Sequence, residues 1–175
     1  MFGKGEFVVY GNTGVCEIAD ITTLDMAGVS GSRLYYILVP RYQKESKIFT
    51  PVDSNKAVMR AILTREEANE LINDIPDIEE LWVSDDKQRE EKYKKTIRSG
   101  ECRDWIKVIK TLYVRKQERI AQGKKTTVMD EKYLRIAEDN LYSELSVSLA
   151  MSRDEMYEYI AGRIFKADET EEIDE

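Results

Sequence analysis

The side chains best placed to do chemistry in this 175-residue chain are cations and tryptophans rather than acids or nucleophiles. There is no histidine, which removes the commonest general base and metal ligand at neutral pH. The acidic pairs Glu79-Glu80 and Asp85-Asp86 are adjacent, so their carboxylates diverge on a helix and read as a solvated face, not a catalytic pair. Gly28-Val29-Ser30-Gly31 lacks the lysine and the following helix that a phosphate-cradling loop needs. Cys16 and Cys102 show no metal-ligand spacing, the pattern of reduced structural thiols. No catalytic residue, metal, cofactor or small-molecule substrate is expected. Arg89, Lys92 and Lys95, by contrast, recur every three residues, so one helix edge could line a path for phosphates. The alternative is ordinary solubilising surface, because Glu90 and Glu91 sit among them and form intra-helix ion pairs.

The bulk charge of -7 hides how these cations are distributed. Residues 101 to 125 hold eight Lys or Arg against three acids, a local +5, whereas residues 168 to 175 hold six acids and no base. That acidic run, with little apolar content, predicts a disordered tail. The cluster Arg115, Lys116, Arg119, Lys124 and Lys125 lies at a predicted helix end, where cations offset the macrodipole and so have a structural reason to exist.

The elements that must position these groups change in kind near Thr64. Before it, Glu6–Tyr10, Val15–Ile21, Leu34–Val39 and Lys47–Val52 are β-rich runs separated by Gly11-Asn12-Thr13-Gly14 and by a loop with Gly28 and Gly31. Pro51 suits a sheet edge or strand end, since proline cannot donate to a ladder. Four or five short strands in about 60 residues predict a small barrel or a strongly bent antiparallel sheet. After it, Thr64-Arg65-Glu66-Glu67 is a capping box opening a helix that stops before Pro76, and a second helix spans about Asp85 to Ser99. Trp105, Ile106, Ile109, Leu112 and Tyr113 form the apolar stripe of a third, closed by Gly123, and Trp105 is expected in the core. A fourth carries Tyr133, Leu134, Ala137, Leu141, Leu145 and Leu149, and Ser152-Arg153-Asp154-Glu155 caps a fifth. The expected organisation is α+β: a β-rich domain over 1–63, an all-α bundle of about five helices over 64–167, and the tail over 168–175. With 42% hydrophobic residues, no signal-like start and no run of about 20 apolar residues, the chain is expected to be globular, cytoplasmic, without a membrane partner, and a monomer.

Val8-Val9-Tyr10 with Gly14 and Ile18, then Ile48-Phe49-Thr50-Pro51-Val52, resembles the amino-terminal module of the CarD family of bacterial transcription regulators. Ser99-Gly100-Glu101, Leu112–Arg119, Gly123, Asp130-Glu131-Lys132-Tyr133-Leu134 and Ala137-Glu138 are similar, in order, to that family's helical module. The resemblance covers roughly residues 2 to 165. It implies a small Tudor-like β-barrel that docks on the β subunit of RNA polymerase, and a helical module that contacts promoter DNA through the minor groove and phosphate backbone without reading sequence. Such a protein sits at the upstream edge of the transcription bubble and stabilises the open complex, with a tryptophan as wedge.

Carried onto this chain, the resemblance matches Leu24 and Phe49 for polymerase docking, both apolar where family members often carry basic residues, and an exposed strand edge at Lys47, Phe49 and Pro51 could augment another sheet, with either Ile48 or Phe49 facing out. For the tryptophan wedge it implies, Trp82 is the candidate, and the expected DNA face is Arg89, Lys92, Lys95, Lys132 and Arg135, with Lys107 and Lys110 behind them. Trp82 stands about four residues farther from Ser99-Gly100 than the family's tryptophan, close to one helical turn. Either it presents the same face one turn earlier, or it packs under the helix from Thr64. The other function weighed is a protein-only adaptor whose barrel binds a partner and whose helical domain never touches DNA.

Overall fold

A computed structural model describes residues 1–171 except 26, 29 and 30, with side chains as far as Arg163. The chain folds as two compact units, Met1–Ile62 and Leu63–Glu175.

The first unit is a five-stranded antiparallel sheet of β1 (Phe7–Tyr10), β2 (Gly14–Leu24), β3 (Arg33–Pro40), β4 (Ile48–Pro51) and β5 (Met59–Ala61), ordered β4-β3-β2-β1-β5. β2 serves two neighbours: Gly14–Glu17 pair with β1, and Cys16–Leu24 pair with β3. The register shifts between Ile18 and Asp20, and an extra residue there bends the strand and moves the side chains after it to the other face. That bend lets few strands enclose Val8, Cys16, Ile18, Tyr36 and Leu38, with Phe2, Ile21, Ile48 and Met59 packed around them. Pro51 ends β4 at one edge of the sheet, where its missing N–H breaks no ladder bond. β5 pairs with β1 from Val8↔Ala61 to Tyr10↔Met59, and three residues are too few to show alternation in sequence. Both cysteines are buried and neither is in a disulfide, and burial pushes the Cys16 thiol up to about 11, which keeps it protonated and unreactive.

The second unit holds α1 (Arg65–Asp74), α2 (Arg89–Arg98), α3 (Cys102–Ala121), α4 (Val128–Ser148) and α5 (Arg153–Glu171). The capping box at α1 is complete: the Thr64 hydroxyl accepts from the Glu67 amide (3.2 Å), and Glu67 accepts from the Thr64 amide (2.8 Å). Ser152 and Glu155 repeat it at α5. α1 gives way to a 3-10 turn at Ile75–Asp77, where Pro76 occupies a position that needs no donor. Trp105 is buried, with its indole N–H donating to the Ile97 carbonyl (3.1 Å), and it packs in a core with Ile106, Ile109, Leu112, Leu141 and Leu145. The backbone of α5 continues through 168–171 of the expected acidic tail, and 172–175 lie outside the described residues, as do Val29 and Ser30.

Two helix ends close by the same motif with different residues. At α3 the Lys124 amide donates to Arg119 O and the Gly123 amide to Ile120 O, with Gly123 at φ 72. At α4 the Met151 amide donates to Ser146 O and the Ala150 amide to Val147 O, with Ala150 at φ 52. A Cβ at Gly123 would meet nothing within 4 Å, so substitution there costs conformational strain alone. Gly123→Ala is expected to destabilise the protein by about 0.5–1 kcal/mol and Ala150→Gly to stabilise it by roughly the same amount. Urea midpoints for the two variants, which should move in opposite directions, check this.

Candidate nucleic-acid interface

The cations of α2 follow at intervals of three, at Arg89, Lys92, Lys95 and Arg98. A helix turns about 100° per residue, so each step of three rotates the side chain by about 60°, and Arg89 and Arg98 emerge on opposite sides. Arg89 instead shares a stripe with Tyr93 and Ile97, both buried. Its guanidinium donates to Asp86 Oδ1 (3.0 Å) and to the Tyr93 hydroxyl (2.9 Å). The structure thus separates Arg89 from Lys92 and Lys95, where the spacing had grouped them.

Lys92 and Lys95 lie with Arg98 along a groove of about 440 Å³ whose other walls are Trp82, Val83, Ser84, Gln88 and Glu91. Trp82 is 80% exposed, so it does not pack under α1. It also does not stand on a helix: Asp86–Gln88 form a 3-10 turn ahead of α2, and Trp82 precedes both in irregular backbone. The expectation of the same helical face one turn earlier therefore does not hold, because there is no helix there to turn. Lys94 is neutralised by Glu90 (3.7 Å) and Glu91 (3.5 Å), whereas no ion pair among the described residues engages Lys92, Lys95 or Arg98. Arg98 continues the spacing of three by one more step, a signal that the sequence already carried.

Lys132 and Arg135 are exposed on α4 and do not line the groove. The Lys132 ammonium lies 5.3 Å from the Tyr133 ring centroid, and the Tyr133 hydroxyl donates to Glu90 Oε1 (2.8 Å), which holds the Glu90 carboxyl below its usual range. Lys107 pairs with Asp104 (3.7 Å). Lys110 donates to Ile78 O (2.7 Å) and Pro76 O (3.3 Å), and the adjacent Thr111 hydroxyl accepts from the Leu81 amide (2.8 Å). Both lysines thus have partners within the fold.

An ion network fixes α2 against α3 and α4. Arg115 donates through Nε to Asp130 Oδ2 (2.6 Å) and lies 3.7 Å from Asp86 Oδ1, which also accepts from Arg89. The hydrogen bond and charge of Arg89, with the charge of Arg115, hold the Asp86 carboxyl below its usual range. Asp130 is only 5% exposed, and Arg115 is the cation that meets it there.

In the first unit, strand register places Leu24, Phe49 and Pro51 on one sheet face. Leu24 pairs with Arg33, Phe49 with Ile37 and Pro51 with Tyr35, and these partners alternate with the core residues Tyr36 and Leu38. Phe49 is 48% exposed while its neighbour Ile48 packs on the core, which settles which of the two faces outward. Lys47 is exposed just before β4.

Residues 2–63 match the CarD-like/TRCF RID domain, and residues 77–161 match the CarD C-terminal domain; such domains belong to RNA polymerase-interacting, non-enzymatic transcription regulators. The chain belongs to the CarD family. Its five-stranded sheet followed by five helices is consistent with a Tudor-like domain joined to the helical one. No curated protein matches the chain. Among the described residues no cluster of three Cys, Asp or Glu could hold a metal ion, and no helix is long and apolar enough to cross a membrane.

Removing Arg115 strands a buried carboxylate. Arg115→Met is expected to destabilise the protein by about 3 kcal/mol, and the double variant Arg115→Met/Asp130→Leu to recover most of that loss in urea unfolding. The Asp86 contribution has the sign of a depressed carboxyl: it is present above the unfolded value near about 4 and is lost as pH falls through the lower folded value. Asp86→Asn should therefore lower stability at pH 7 and have progressively less effect in acid.

Proposed function

We propose that the first unit docks on the β subunit of RNA polymerase and that the helical unit sets Trp82 against promoter DNA at the upstream edge of the bubble, stabilising the open complex. The observation that carries this reading is an indole left 80% exposed beside three cations that no ion pair among the described residues engages. An apolar wedge favours kinked or unstacked base steps, and Lys92, Lys95 and Arg98 supply the phosphate attraction that keeps it there. None of this requires base reading, so specificity comes from where polymerase holds the protein. Lys132 and Arg135 extend the cationic surface on α4.

The net charge of -7 predicts weak binding of the isolated chain to linear duplex, which docking offsets by raising the local concentration. On the first unit, Phe49 and Pro51 offer apolar contact, Lys47 a rim charge and Leu24 a further apolar position on the same face. The β4 edge can accept a strand from another sheet.

With full-length protein, polymerase holoenzyme and promoter DNA, Trp82→Ala should shorten the open-complex lifetime about tenfold, the scale of one lost base-stacking contact. Lys92→Gln and Lys95→Gln should each reduce the slope of log affinity against log salt by about 0.9. Wild-type lifetime and slope in all three variants, with polymerase binding retained, would favour the protein-only adaptor.

A further inference from the structure

We infer that Thr111, with Lys110 beside it, is a positioning residue for Trp82: α3 straps the irregular segment that carries the indole, and that strap sets where the indole points. The inference rests on the reading of Trp82 given above and adds to it the residues that act through the tryptophan.

Residues 78–83 form neither helix nor strand, so no ladder of backbone hydrogen bonds fixes them. Two of their backbone groups, the Ile78 carbonyl and the Leu81 amide, are met from α3 instead. Lys110 Nζ holds the carbonyls of Ile78 and Pro76, and one residue before the tryptophan the Leu81 amide donates to Thr111 Oγ1 (2.8 Å). The Thr111 hydroxyl spends its single hydrogen on Lys107 O (2.6 Å), so its oxygen faces Leu81 as a fixed acceptor. Thr111 is 7% exposed, and a threonine bonding back within its own helix gains little there. Accepting from Leu81 gives the buried oxygen its use. On the far side of Trp82, Asp85 caps the 3-10 turn by accepting from the Lys87 amide (3.0 Å). The tryptophan thus lies between a strapped residue before it and a capped turn after it, while its own side chain is left exposed. A wedge ordered before binding avoids the entropy that a loose one loses on binding, and the strap contributes to affinity by that route.

The test uses the full chain bound with RNA polymerase holoenzyme to forked promoter DNA. Thr111→Val keeps the β-branched shape and removes the acceptor, Thr111→Ser restores it, and Lys110→Met releases the other end of the strap. Thr111→Val should accelerate hydrogen exchange at the Leu81 amide and weaken the DNA complex roughly fivefold, the scale of one hydrogen bond, with Thr111→Ser close to wild type. Lys110→Met should weaken it in the same direction. The double variant Thr111→Val/Trp82→Ala should bind no more weakly than Trp82→Ala alone, because the strap acts only through the indole. Additive losses in that double variant, or wild-type affinity in Thr111→Val despite faster Leu81 exchange, would overturn the inference. If Trp82→Ala itself binds like wild type, it is the wedge reading that fails, and the strap loses its role with it.

Discussion

A side chain kept in water cannot be held in place by its own packing, so an exposed indole must be positioned through the backbone that carries it. In this protein that constraint falls on α3. Its apolar stripe, from Trp105 to Leu112, is buried in the helical core, which makes the helix a rigid support. The same helix supplies Lys110 and Thr111 to the irregular segment before Trp82 and Arg115 to the ion network that fixes α2. Core packing, strap and groove therefore all depend on the spacing of apolar residues along a single helix.

The cations are sorted by helical phase rather than by abundance. Arg89 falls on the buried stripe of α2 and is used to hold Asp86 and Tyr93; Lys94 faces its own acids; Lys92, Lys95 and Arg98 are left over. An acidic protein can in this way present a cationic groove, because helical phase turns Lys92, Lys95 and Arg98 toward it while Arg89 and Lys94 meet acids instead. The Glu91 carboxylate within the groove limits that field, which fits a surface meant to act only when docking brings DNA near.

Much of the architecture was legible in the sequence because it depends on local rules. Capping boxes at Thr64 and Ser152, Gly123 at a left-handed helix end and the stripe around Trp105 each specify their element from neighbours within one or two turns. What escaped depends on pairing or on phase. β5 is too short to show alternation, and the bulge after Ile18 exists only relative to the facing strand. Arg89 was grouped with Lys92 because a spacing of three resembles the helical period and drifts from it by about 60° per step. The exposure of Trp82 was invisible for a different reason. The segment that carries Trp82 is tied to α3 by a hydrogen bond between residues 30 positions apart, Leu81 and Thr111, which no local pattern announces. The order of short motifs across both modules did carry the family, although no single motif would have sufficed.

The most direct test of the central claim is site-specific photo-crosslinking from position 82, with a photoreactive phenylalanine analogue replacing Trp82, in the complex with RNA polymerase and promoter DNA. Crosslinks to DNA at the upstream edge of the bubble are expected, appearing only when polymerase is present and fading as salt is raised. Crosslinks to polymerase alone, or to duplex DNA with no dependence on the bubble, would contradict it.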